Sequence, residues 1–242
     1  MKLCVAQLRP VAGNIQSNVV AHVRLIELAV ASGAEIVVFP ELSMTGYDRA
    51  RARDLAVDLE DRRLDVFQTI SDTQQITIGI GVPTKHRNGV CISLMLFQPH
   101  QSKTLYSKMH LHSGEEACFV PGPPATGLVD SHPKVALAIC YEASVSEHAA
   151  NAVKNGASVY LASFAYTVGG IDKGLARLSE IAREYSMTVL MSNCIGRSES
   201  WEWAGRTSAW NSQGVLLSQL DDEYEGIIVI DTETQDVVQL QP

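Results

Sequence analysis

The stretch Val135-Ala136-Leu137-Ala138-Ile139 is apolar throughout, has a β-branched residue at each end, and stops abruptly on Cys140-Tyr141-Glu142. A short run of this kind, followed by a segment of helical character, predicts a buried strand of an α/β protein. Cys140 then stands at the strand's carboxyl edge. At that edge the backbone turns and leaves a crevice beside exposed amide groups, where α/β proteins bind ligands. A thiol there is a candidate nucleophile. Read alone, a lone cysteine is more often a small buried hydrophobe, so the rest of the chain has to decide.

Similar runs recur along the chain. Lys2 to Leu8 predicts a first strand, and Val19, Val23, Ile26 and Val30 predict a helix to Ser32 closed by Gly33. Glu35 to Phe39 predicts a strand stopped by Pro40, with Glu41 directly after it. Ala50 to Asp72 has helical character with a break near Glu60-Asp61. Ile76 to Val82, Val90 to Phe97 and Thr104 to Ser107 predict strands, the first two joined by a hairpin at Asn88-Gly89. Lys108 follows the third. Ser146 to Asn155, with Gly156 as its cap, and Leu175 to Tyr185 predict helices around a strand at Ser158 to Ala162. Strands at Thr188 to Asn193, Thr207 to Trp210, Val215 to Gln219 and Gly226 to Ile230 complete the pattern. Taken singly, Glu41 is a solvated loop charge and Lys108 a surface ammonium; both nevertheless follow β-like runs, as Cys140 does.

The 242 residues contain no linker-like stretch and fit one domain over 1–242. A formal charge of −8 argues against nucleic acid or an anionic membrane as partner, because both select a basic face, and favours a small-molecule substrate. No apolar stretch approaches the roughly 20 residues of a membrane span. The apolar start Met1 to Ala6 is too short for a signal peptide's core, so a cytoplasmic location is expected. Five cysteines (Cys4, Cys91, Cys118, Cys140, Cys194) without a C-x-x-C pair predict free thiols. His110 and His112 alternate without a clear third ligand, and no metal is expected.

Together these residues resemble the motifs of the nitrilase or carbon–nitrogen hydrolase superfamily. Phe39-Pro40-Glu41-Leu42-Ser43-Met44-Thr45-Gly46-Tyr47 is similar to the family's first motif, Tyr106-Ser107-Lys108-Met109-His110-Leu111 to the second and Ile139-Cys140-Tyr141-Glu142 to the third. Glu115, four residues before Phe119, matches the family's supplementary glutamate. The likeness runs from Val5-Ala6-Gln7 to Gly214-Val215-Leu216, and three motifs in order make coincidence improbable.

The resemblance implies a four-layer α-β-β-α sandwich, a homodimer or higher homo-oligomer, and no organic cofactor. It implies Glu41 as general base, Cys140 as nucleophile forming a thioester, and Lys108 with the backbone N–H of Tyr141 as oxyanion donors. Glu115 would position Lys108, the substrate or the attacking water. Tyr47, Ser163 and Phe164 are implied pocket residues, the last two from Ala162-Ser163-Phe164-Ala165. Two departures stand out: Glu142 where many relatives have Asp, and Ser144 where many have Arg. The expected activity is hydrolysis of a small linear amide. An N-carbamoyl amidase, a nitrilase and a non-catalytic binding module on the same fold are the alternatives.

Overall fold

The computed structural model describes residues 1–129, 131–197 and 201–242. Along the chain run β1 (Lys2–Gln7), α1 (Ile15–Ala31), β2 (Ile36–Val38), α2 (Ala52–Leu55), α3 (Asp65–Gln74), β3 (Thr77–His86), β4 (Gly89–Phe97) and β5 (Thr104–Ser107). There follow β6 (Leu128–Val129), β7 (Val135–Ile139), α4 (Ser146–Lys154), β8 (Val159–Ser163), α5 (Ile171–Tyr185) and β9 (Thr188–Ser192). The last elements are β10 (Ile195–Arg197), β11 (Glu202–Ala204), β12 (Ser208–Trp210), β13 (Leu216–Gln219), β14 (Gly226–Asp231) and β15 (Val237–Leu240).

One sheet has the order β15-β14-β1-β2-β3-β4-β5 and the other β13-β12-β9-β8-β7-β6, with β10 and β11 as a separate ribbon. Side-chain alternation, with its period of two, decides which layer each residue joins. In β7, Val135, Leu137 and Ile139 pack between the two sheets with Leu3, Val5 and Leu94. Ala136 and Ala138 face the other way, beneath Leu178, Ile181 and Ala182 of α5 and Ala149 of α4. Large residues therefore fill the gap between sheets, and small ones let the helices approach. On the outer face of the first sheet, Leu25, Ile26 and Ala29 of α1 and Phe67 of α3 cover Cys4, Val37 and Ile78. The three apolar clusters are the three gaps of an α-β-β-α sandwich. No helix among the described residues is long and apolar enough to cross a membrane.

Several boundaries differ from the sequence expectation. β3 continues through Pro83 to His86, paired throughout with β4. Its other neighbour, β2, ends at Val38 opposite Gly79, so Pro83 lies where no ladder on that side needs its missing N–H. Extended Val57 borders this stretch instead, donating to Pro83 O and accepting from Lys85 N, both at 2.9 Å. The helical region from Ala50 breaks as expected: Asp61 caps a short 3-10 turn, Arg62–Leu64, that leads into α3. α5 begins four residues earlier than Leu175, at Ile171.

The two sheets are stitched together at the end where β2 and β8 finish. Ser163 Oγ donates to Phe39 O at 2.8 Å, and Glu41 N donates to Phe164 O at 3.2 Å. Two further bonds join residues far apart in sequence: Thr207 N donates to Gln7 Oε1 and Ile195 N to Leu8 O, both at 3.0 Å.

Candidate active site

β2 is parallel to β3, and β5 is reached through two antiparallel pairings, so β2 and β5 point the same way. Glu41 and Lys108 thus emerge at one edge of the first sheet, and Cys140 arrives from β7 of the facing sheet. The strand-end expectation holds for each residue, but the meeting is made across two sheets.

Each backbone segment is held at close quarters. Pro40 stops β2, and the chain turns through Leu42 at φ 53°. Gly81 of β3 makes room for that turn: a Cβ there would lie 2.1 Å from Pro40 O and 2.5 Å from Leu42 N. A glycine inside a strand is the sequence signal of such an approach. Lys108 N donates to Ile92 O and Lys108 O accepts from Gly122 N, both at 2.8 Å. Cys140 ends β7 at φ 45°, a backbone region that costs a non-glycine residue of order 1–3 kcal/mol. It opens a 3-10 turn, Cys140–Ser144. Conformations of that cost persist where surrounding contacts enforce them, as at functional sites.

The charged centre is almost closed to solvent, with Glu41 2%, Lys108 0% and Glu115 2% exposed. Lys108 Nζ donates to Glu41 Oε1 at 2.7 Å and to Glu115 Oε1 at 2.9 Å. Tyr47 Oη donates to the same Glu115 oxygen at 2.5 Å, and His112 N to Glu115 Oε2 at 2.8 Å. Glu41 Oε2 is buried without a hydrogen bond.

Two carboxylates around one ammonium leave an excess negative charge in a dry site, and the proton affinities follow. Burial, assisted by the charge of Glu115 and opposed by Lys108, pushes Glu41 up to about 7. Burial by itself would discharge Lys108, but the negative charge of Glu41 above all, with that of Glu115 and the hydrogen bond to Glu41, holds the ammonium above its ordinary range. Burial and the Glu41 charge raise the Cys140 thiol well above normal, against the pull of Lys108 and of the Ala165 N–H. The resting site therefore combines a protonated thiol, a permanent cation and a carboxylate that gains or loses its proton near neutrality. Burial, then the charges of Glu41 and Glu115, also keep the Tyr47 phenol protonated as a donor.

The remaining expected residues fall into two groups. Tyr47 is joined to the centre through Glu115, and Tyr141 follows Cys140 with a partly exposed ring 5.4 Å from His112. Ser163 and Phe164 are wholly buried: the serine hydroxyl bridges the sheets, and Phe164 acts through its backbone on Glu41. In that segment it is Ala165 that presents an N–H to the thiol. Glu142 has a role that sequence reading missed. Its Oε1 accepts from Met109 N at 2.7 Å, and its Oε2 from Ile139 N at 2.8 Å and Tyr106 Oη at 2.7 Å. One buried carboxylate thus ties the residue after Lys108 to the residue before Cys140. Ser144, at the usual Arg position, is exposed, while Arg177 Nε of α5 donates to Ala143 O in the same turn at 3.1 Å.

Comparison with known proteins bears on the fold and the family. An (R)-stereoselective amidase from Pseudomonas sp. is 25% identical over 238 residues, covering 96% of this chain and 85% of the relative. A variant of the amidase from Nesterenkonia sp. AN1, solved in complex with butyramide, has the same fold with a TM-score of 0.87 at 22% identity, covering 97% of this chain and 92% of that one. Another variant of that amidase, with acrylamide added at its active-site cysteine, gives a TM-score of 0.87 at 22% identity, covering 97% and 94%. The sequence pattern of carbon–nitrogen hydrolases matches residues 2–241. The chain belongs to the carbon–nitrogen hydrolase family.

Proposed function

We propose that this protein hydrolyses small linear amides to a carboxylate and ammonia through a thioester on Cys140. The observation that carries this reading is the convergence of a strained strand-end cysteine with a buried Glu41–Lys108–Glu115 cluster. In the reaction, Cys140 Sγ attacks the amide carbon while its proton passes to Glu41, whose Oε2 has no competing hydrogen bond. A thiol this reluctant to ionise reacts by general-base assistance, with proton removal and attack concerted. The tetrahedral oxyanion is stabilised by the Lys108 ammonium and by the N–H of Tyr141, which lies in the first turn after β7 where a helical start leaves donors without internal acceptors. Glu41 returns the proton to the departing nitrogen, the C–N bond breaks and ammonia leaves. Water then attacks the thioester with Glu41 again as base, releasing the carboxylic acid and restoring the thiol.

Ammonia release from short aliphatic amides, ureido acids and nitriles, compared between the native chain and Cys140→Ala, tests this reading. Turnover of amides above the other two classes, abolished in the variant, is expected. Full turnover in Cys140→Ala would overturn it, as would activity confined to nitriles or ureido acids.

A further inference from the structure

α1 packs on the first sheet through Leu25, Ile26 and Ala29, yet Asn18 and His22, one turn apart on the helix, are also buried, at 1% and 0% exposed. Buried polar groups are costly unless their hydrogen bonds are made. Asn18 Oδ1 accepts from Val11 N at 2.8 Å, and its Nδ2 donates to Val11 O at 2.9 Å and to Met44 O at 2.8 Å. His22 Nδ1 lies 2.6 Å from Asn18 O. A carbonyl has no hydrogen to give, so Nδ1 carries the ring proton, and Nε2 is left to accept from the Ser43 hydroxyl at 2.9 Å. The rings of Phe39 at 4.3 Å and Phe67 at 6.0 Å close around the imidazole. Burial keeps it neutral, with its pKa pushed down to about 4, so the acceptor persists where Glu41 titrates.

Ser43 and Met44 belong to the turn that carries Glu41. Ser43 N donates to Pro40 O at 3.0 Å and Thr45 N to Leu42 O at 3.1 Å, around Leu42 at φ 53°. Met44 N donates to Gly81 O at 3.0 Å, so the turn is fastened to β3 on one side and to α1 on the other. Glu41 Oε2 has no hydrogen bond, so the turn beneath it and the Lys108 contact at Oε1 set where it lies. Ser43 is itself wholly buried, which closes this Ser–His pair to any substrate and leaves it a mechanical use. We propose that His22, acting through Ser43, is a positioning residue for the general base: the pair fixes the Glu41 turn in the place from which its free oxygen meets the Cys140 thiol. The inference rests on the amide-hydrolase reading for its kinetic test and on the chemistry of the thiol alone for a second one.

The experiment measures kcat and KM for a short amide, and the rate at which iodoacetamide alkylates Cys140, between pH 5 and 9. It compares the native chain with Ser43→Ala, His22→Asn, the double variant and His22→Gln. Ser43→Ala removes one hydroxyl, and Asn at 22 is too short to accept from it, whereas Gln brings an acceptor near the place of Nε2. Loss of the contact should lower kcat by roughly 10- to 100-fold and change KM by less than about threefold, because the base is misplaced while substrate still binds. The acid limb of kcat/KM and of alkylation, near 7 in the native chain, should move down by about half a unit or more as water reaches Glu41. The double variant should be no slower than the slower single, since both remove one contact, and His22→Gln should recover most of the loss. A folded Ser43→Ala with native kcat and an unmoved limb would overturn the inference, even with a lowered Tm, as would losses that multiply in the double variant. If the native chain turns over no amide, the hydrolase reading falls and the alkylation limbs decide: a limb that moves in Ser43→Ala upholds the positioning of Glu41, and one that stays overturns it.

Discussion

Replacing Glu115 by glutamine removes one of the two buried negative charges around Lys108 while nearly preserving its shape. Glu41 Oε1 and Glu115 Oε1 bind the same Nζ at 2.7 and 2.9 Å, so these oxygens lie no more than about 5.6 Å apart. At that separation two unit charges repel by about 3 kcal/mol at an effective dielectric constant of ~20. That energy corresponds to roughly 2 pH units in a proton equilibrium, and spreading each charge over its carboxylate leaves at least about one. Glu41 works as a base only when ionised, so kcat/KM for an amide should rise with pH through an acid limb near 7, where burial and Glu115 place Glu41. Without the Glu115 charge the proton is held less tightly, and the limb should move down to about pH 5–6. The assay is ammonia release from a short amide at subsaturating concentration between pH 4.5 and 9. The position of the limb can be read even if Glu115→Gln lowers the rate at every pH. A limb that stays near 7, or rises, would refute the electrostatic account of Glu41.

Three other outcomes follow from the geometry. Gly81→Ala forces a Cβ to within 2.1 Å of Pro40 O and should displace the Glu41 turn, reducing kcat by about 100-fold or more, since small misplacements carry that cost; near-native kcat would show that the turn relaxes freely. Glu142→Gln puts an amide NH2 where a buried backbone N–H of Met109 or Ile139 needs an acceptor, costing about 3 kcal/mol. In a chain of this size that loss lowers Tm by roughly 6–12 °C, and an unchanged thermal melt would disprove the tie. His22 is neutral in the interior, its pKa pushed down from 6.5 to about 4 by burial despite its hydrogen bond to Asn18 O. The unfolded chain takes up that proton at higher pH than the folded one. The corresponding stability is therefore complete above pH 6.5 and lost as pH falls towards 4, by up to about 3 kcal/mol. His22→Gln should flatten the pH dependence of Tm across that window, and identical slopes would count against the assignment.

Local chemistry made the central elements readable. β7 is apolar at every position, and Cys140 stands where the run stops, so strand, edge and thiol are visible together. The same holds for Glu41 after β2 and Lys108 after β5, each preceded by a run that prefers strand. β10, β11 and β15 were not readable, because Ile195-Gly196-Arg197, Glu202-Trp203-Ala204 and Val237–Leu240 are short or partly polar and take up strand geometry through their partners. Pro83 hid the end of β3 for a related reason: whether a proline fits a strand depends on which neighbour lies beside it.

The amino-acid order determines which residues lie at strand ends, because backbone preference and the period of two operate over a few neighbouring residues. The meeting of those ends, the tie made by Glu142 and the poise of Glu41 near neutrality exist only in the folded chain. They arise from residues far apart in sequence, brought together where two sheets exclude water, and a charge's energy depends on that exclusion more than on its neighbours along the chain.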